Sequence, residues 1–166
     1  MMSKKENEKY LVCYCTKNQF LKILKVLANT TGDEKEINML VGDLDSHHQR
    51  KMALEMGILK KEEKTYKITE LGEKLALAYD SDKEEFSKIL REECLPRIPF
   101  FNSMLKLVKA RKKLNKKELL KSIITLIGKG KKDSTYNSYI NMAIGYLELG
   151  GVIRYTKKDK MINYIL

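Results

Sequence analysis

With 166 residues, 43% of them apolar and 33% charged, the chain can bury one ordinary core or two small ones, and a low-complexity or disordered protein is excluded. No run approaches the roughly 18 apolar residues of a membrane span, and the opening MMSKKENEKY turns polar where a signal peptide needs an apolar stretch, so a cytoplasmic protein is expected. The net charge of +11 is concentrated: residues 103–132 hold eleven Lys or Arg against one acid, Glu118, whereas residues 80–94 carry six acids against three bases.

In chain order, Cys13-Tyr14-Cys15 comes first; it lacks the spacing and the second pair of a zinc knuckle, so these thiols and Cys94 are expected to be reduced and partly buried. Residues 18–28 carry the broad apolar face of a core helix, ended by Asn29-Thr30-Thr31-Gly32. A second helix is expected from Asp33, where Asp33 and Glu36 form a capping-box variant, with Ile37, Leu40 and Val41 on its face and Gly42 closing it. Ser46-His47-His48-Gln49 is a capping box for a third helix, which Gly57 stops. Its inward stripe is Gln49, Met52, Ala53 and Met56 with His48 at the edge; His47, Arg50 and Lys51 fall outside. The adjacent histidines point about 100° apart on a helix, and no i, i+4 pair exists, so neither a metal site nor a catalytic pair is expected. Residues 58–61 and 65–69 read as strands around Glu62-Glu63-Lys64, and ITELGEKLALAY begins another helix.

A charged stretch, residues 80–98, follows with the apolar stripe Phe86, Ile89, Leu90 and Leu95, and reads as a connector helix between an N-terminal domain, 1–79, and a C-terminal domain, 99–166. The C-terminal domain repeats the first order. Pro99 starts a helix to about Arg111; Asn115 and Glu118 make a capping box for a second, with Leu119, Leu120, Ile123, Ile124 and Ile127 inside. Asp133 or Ser134 is expected to cap a third helix, 134–149, whose inward stripe is Tyr136, Ile140, Ala143, Ile144 and Leu147. Gly150-Gly151 stops it, and strands at 152–156 and 161–165 bracket Lys157-Lys158-Asp159-Lys160. Three helices followed by a hairpin, twice over, predict a mainly α fold: two winged helix-turn-helix units joined by the connector.

L-E-M-G-I-L followed by Y-K-I-T-E-L-G resembles prokaryotic winged-helix regulators. Residues 68–108, ITELGEKLALAYDSDKEEFSKILREECLPRIPFFNSMLKLV, are similar to the linker of the archaeal and bacterial AAA-associated C-terminal domain family, a resemblance that implies architecture and a regulatory flavour rather than a reaction. Gly128-Lys129-Gly130-Lys131 lacks the spacing and terminal hydroxyl of a phosphate-binding ATPase loop.

These readings predict a DNA-binding protein, a transcriptional regulator without enzymatic activity or cofactor. His47, Arg50 and Lys51 would face the groove. Lys106, Lys109, Arg111, Lys112, Lys113, Lys116 and Lys117 would bind phosphates, helped by Lys129, Lys131 and Lys132 and by Arg154, Lys157, Lys158 and Lys160 of the hairpin. The third helix of the C-terminal domain has no Lys or Arg; Asn141 could read adenine, but a neutral helix also suits a protein interface. The alternative is therefore an interaction module docking on an ATPase, a polymerase or other transcription machinery, and two fused units either dimerise or mimic a dimer. Tyr136, Tyr139 and Tyr146, at helical spacing, are expected to pack rather than stack on bases.

Overall fold

The computed structural model describes residues 15–28 and 47–166, and over these the chain is mainly helical with two small antiparallel sheets. The helix expected from Asp33, the side chain of His47, and Ser46 and Cys13 lie outside the described residues. In order come α1 (Lys17–Ala28), α2 (His47–Glu55), β1 (Leu59–Glu62), β2 (Thr65–Ile68), α3 (Glu70–Ser81) and α4 (Lys83–Ile89). A π-turn (Leu90–Cys94) and a 3-10 turn (Leu95–Arg97) follow, then α5 (Pro99–Arg111), β3 (Lys113–Asn115), α6 (Lys116–Ile127), α7 (Asp133–Leu149), β4 (Ile153–Thr156) and β5 (Met161–Tyr164). The contacts divide the chain between Ile98 and Pro99 into an N-terminal and a C-terminal unit.

In the N-terminal unit α1 buries Phe20, Ile23, Leu24 and Leu27, the i, i+3, i+4, i+7 face of an amphipathic helix. On α2 the expected stripe Gln49, Met52, Ala53 and Met56 is buried. His48 is exposed rather than at the edge of that stripe, and Arg50 and Lys51 are half-buried rather than fully outside. Gly57, at φ 76, closes α2: Ile58 N–H reaches back to the Ala53 carbonyl at 3.1 Å. Thr69 then ties three elements together. Its N–H donates to the Ile58 carbonyl (3.0 Å), its hydroxyl donates to the Gly57 carbonyl, and the same oxygen accepts from Gly72 N–H (3.0 Å) at the start of α3. A Cβ on Gly72 would fall 2.1 Å from the Ile58 carbonyl oxygen, so only glycine lets α3 leave the hairpin this closely. That is why Thr69 is followed three residues later by Gly72 in Y-K-I-T-E-L-G.

Residues 83–97, set apart in the sequence as a connector, pack on this unit. Asp82 caps α4 by accepting from Glu84 and Glu85 N–H, the rings of Tyr79 and Phe86 lie 5.4 Å apart at a tilt of 59°, and Lys74 meets Glu93 at 3.0 Å. The π-turn admits one extra residue per turn. As a result Cys94 rather than Glu93 faces inward beside Leu90 and Leu95, and Glu93 stays outside for Lys74.

The C-terminal unit is built on α5, whose buried Phe100 and Phe101 meet Tyr139 and Tyr146 of α7 edge-on or tilted, at 5.2 and 5.0 Å. All three periodic tyrosines of α7 are buried. The Asn115–Glu118 capping box is formed in both directions, at 3.0 and 2.7 Å, and α6 buries Leu119, Ile123 and Ile127 while Leu120 and Ile124 are half-covered. Neither Asp133 nor Ser134 caps α7: both are already helical, and the chain arrives through Lys132, whose extended backbone takes the cap position without a side-chain bond. Gly151, at φ 64, closes α7 with Val152 N–H on the Leu147 carbonyl, and Ile165 N–H returns to the Val152 carbonyl. These are the bonds that Ile58 and Thr69 make in the N-terminal unit. The sheet runs β3-β5-β4, so a short strand ahead of α6 joins the hairpin, a pairing absent from the sequence reading.

Thr69→Val is expected to cost on the order of 1 kcal/mol by loss of the cap, and Gly72→Ala more, because a backbone carbonyl must move; thermal melts followed by circular dichroism would rank them. Burial, reinforced by Glu93, pushes the Cys94 thiol up to about 12. Since the thiolate is the nucleophile, Cys94 should resist iodoacetamide at pH 8 until the protein is unfolded, a difference readable by mass spectrometry.

Candidate nucleic-acid interface

The cluster KLVKARKKLNKK is divided by its own backbone. Lys112 N–H still bonds the Val108 carbonyl at 2.9 Å and ends α5, but Lys112 itself is left-handed, at φ 63, and the chain turns there into β3. Tyr164 N–H donates to the Lys112 carbonyl at 2.8 Å, and the Lys112 ammonium stands 4.0 Å from the centre of the Tyr164 ring, a cation–π contact. Lys113, Leu114 and Asn115 then pair with Asn163, Ile162 and Met161, while Arg154, Tyr155 and Thr156 pair with the same three residues from the other side.

Residues opposite one another across antiparallel strands share a face. One row, Leu114–Ile162–Tyr155, covers the core, with Leu114 and Ile162 buried. The neighbouring row, Lys113–Asn163–Arg154, looks outward, with both cations exposed and Asn163 half-buried between them. At the far end of the sheet Lys116 N–H meets the Lys160 carbonyl at 3.2 Å, so the first turn of α6 abuts the hairpin tip. The sheet therefore brings Lys112, Lys113, Lys116 and Lys117 together with Arg154, Lys157, Lys158 and Lys160. All are exposed except Lys116, which is half-buried.

Little within the unit neutralises this charge. Glu118 and Glu148 keep their charge but accept from the Asn115 and Tyr155 N–H groups, at 2.7 and 3.1 Å, and Asp159 lies exposed in the hairpin turn. Among the described residues no Lys or Arg of 99–166 lies within ion-pair distance of a carboxylate. Lys106, Lys109 and Arg111 add exposed cations along α5. Lys129, Lys131 and Lys132 are not brought to the sheet: they follow the C-terminus of α6, about 18 Å of helix away from β3. There the Tyr136 hydroxyl donates to the Gly128 carbonyl (2.8 Å) and accepts from Lys131 N–H (3.2 Å), bracing the loop.

The outer stripe of α7 carries no cation, and the helix's charged residues are Asp133 at its start and the half-buried Glu148 near its end. Ser134, Asn137, Ser138 and Asn141 are exposed and Gly145 is half-covered. Asn137 was missed as a partner to Asn141, although the i, i+4 spacing of two amides in NSYIN carries it.

The N-terminal hairpin is arranged otherwise. Lys60 and Lys67 are directly opposite, and Glu62 reaches both, at 2.7 and 2.6 Å. Lys61 lies 5.7 Å from the Tyr66 ring. Among the described residues no group of three His, Cys, Asp or Glu side chains gathers as a metal site, and no helix is long and apolar enough to cross a membrane.

The hydrogen bond from Lys60, then that from Lys67, lowers the Glu62 carboxyl from 4.5 to about 2. A depressed carboxylate stabilises the fold above its unfolded pKa and loses that contribution as pH falls through the folded one, here between 4.5 and about 2. A carboxyl-detected NMR titration should place the Glu62 midpoint near 2; a midpoint at the ordinary value would mean that neither lysine holds it. Comparison of the chain with protein-family profiles, curated proteins and solved structures gives no match.

Proposed function

We propose that the chain is a tandem winged-helix protein that binds duplex DNA and acts as a transcriptional regulator, without enzymatic activity. In the C-terminal unit the order helix, strand, two helices, hairpin, with the first strand returning to the hairpin sheet, supports the winged-helix reading. The observation that carries the functional reading is the junction of β3 with β5. It brings the helix-turn cations and the hairpin cations around one sheet, where they outnumber the acids Glu118 and Asp159 and none is held in an ion pair among the described residues. Such a surface fits the phosphate backbone, which positions a protein without reading sequence. Asn137 and Asn141 on α7 are the base-reading candidates, since an amide can bond both N6 and N7 of adenine. On this reading the likeness of residues 68–108 to the AAA-associated family is one of architecture.

A second reading, an interaction module on an ATPase or transcription-machinery partner, draws on the uncharged patch Ser134, Asn137, Ser138 and Asn141 of α7, because charge is depleted at the centre of protein interfaces. Fluorescence anisotropy with a labelled duplex separates the two. Binding should weaken steeply with salt, the logarithmic slope approaching about −0.9 per phosphate contacted. Charge reversal of Lys112, Lys113, Lys116 and Lys117 should flatten that slope by roughly 3–4 for every sequence alike, whereas Asn141→Ala should weaken only preferred sequences. Absence of binding at low salt, with capture of a stoichiometric protein that survives nuclease, would favour the second reading instead.

A further inference from the structure

The strands of the two hairpins correspond residue by residue through their shared bonds. Ile58 and Val152 both follow a left-handed glycine and donate back into the preceding helix, and each accepts from the residue after the second strand, Thr69 or Ile165. Counting on from there, Lys60 corresponds to Arg154, Glu62 to Thr156, and Lys67 to Asn163. The registers agree, since Lys60 is opposite Lys67 and Arg154 is opposite Asn163.

In the first hairpin the two outward cations are bridged by an oxyanion that the strand itself supplies. One oxygen of Glu62 takes Lys60 and the other takes Lys67. In the second hairpin the corresponding side chain is the neutral Thr156, and the row of donors is extended by β3 to three members, Lys113, Asn163 and Arg154. With neighbouring strands about 4.8 Å apart, Lys113 and Arg154 stand about 10 Å from each other with the Asn163 amide between them. Guanidinium, amide and ammonium are all donors suited to a phosphate oxygen, and the guanidinium can engage two oxygens at once.

We propose that the outward row Lys113–Asn163–Arg154 is a phosphate-binding site that seats one phosphodiester of a duplex DNA backbone, with the DNA oxygens taking the role that Glu62 fills within the first hairpin. The first hairpin, already satisfied internally, holds no such phosphate. This rests on the DNA-binding reading above and adds to it a location, a stoichiometry and an asymmetry between the units.

Full-length protein, labelled duplex and a salt series test it. The double variant Lys113→Gln/Arg154→Gln should weaken binding on the order of eightfold at 0.1 M salt and flatten the slope by about 0.9, the contribution of one phosphate, and each single variant should show part of that loss. Asn163→Ala should weaken binding several-fold with the slope unchanged, because a neutral donor releases no counterion; generalised surface charge would leave this variant like the parent. Lys60→Gln and Lys67→Gln should bind as the parent does. Circular dichroism melts check that each variant folds, and the conservative Arg154→Lys should restore the slope but only part of the affinity.

If the parent protein fails to bind duplex at low salt, the DNA reading and the site fall together. If the parent binds but Asn163→Ala is silent, or the first-hairpin variants lose as much as the second, the site is overturned while the DNA reading stands. Inorganic phosphate, added at matched ionic strength, should displace DNA no better than chloride; stronger displacement would mark a free-phosphate site and overturn the assignment to the backbone.

Discussion

The pairing that begins where Tyr164 donates its N–H to the Lys112 carbonyl, and continues through Leu114 and Ile162, fixes where the charge of the C-terminal unit lies. Without it the lysines on either side of the α5–α6 turn would have no tie to the cations of the hairpin. With it they flank the same sheet as Arg154. The arrangement gathers like charges, yet the cost is small: two unit charges about 10 Å apart in water repel by about 0.4 kcal/mol. Full burial of a leucine or isoleucine is worth about 1.5–3 kcal/mol, and the row directly beneath the cations buries both Leu114 and Ile162. The apolar side of the sheet thus outweighs the electrostatic penalty of its other side.

The two units use one set of backbone bonds to opposite electrostatic ends. A left-handed glycine, a return bond from the end of the hairpin and an antiparallel pair recur in both. In the N-terminal unit the hairpin is short, its turn is Glu63-Lys64, and Glu62 absorbs its facing lysines. In the C-terminal unit the turn is longer and runs Lys157-Lys158-Asp159-Lys160, and the sheet gains a third strand. The same scaffold therefore offers a self-neutralised edge in one place and a cationic one in the other. Net charge, taken over the whole chain, conceals this difference.

Much of the fold was legible because it is governed by local chemistry. Pro99 and the Asn115–Glu118 box mark helix starts that depend only on neighbours a turn away, and Gly57 and Gly151 mark ends for the same reason. The apolar periods of α1, α2 and α7 located their buried faces. What escaped was non-local or lacked a pattern. Lys113-Leu114-Asn115 has one apolar residue and no alternation to detect, and it becomes a strand only because β5 arrives from the far end of the chain. The cap of α7 was misplaced because Asp133 and Ser134 have capping side chains, while the extended backbone of Lys132 decides where the helix starts. Cys94 is buried as expected, but the π-turn that presents it has no pattern in the sequence. Of the site, the cations were evident in composition, whereas Asn163 was invisible, since its significance comes from the strands on either side.

The hydroxyl of Tyr136 bears on how a partner would be met. By holding both the Gly128 carbonyl and the Lys131 N–H, it makes the loop before α7 a handle of that helix rather than a free tether. A flexible loop must surrender its conformational entropy when it engages a partner, on the order of 1–2 kcal/mol for each residue fixed. Here part of that loss is taken during folding, so Lys129 and Lys131 move with the stripe of Asn137 and Asn141. Preorganisation of this kind favours affinity by reducing what association must spend on ordering. It also links the cations nearest α7 to the direction in which its amides point.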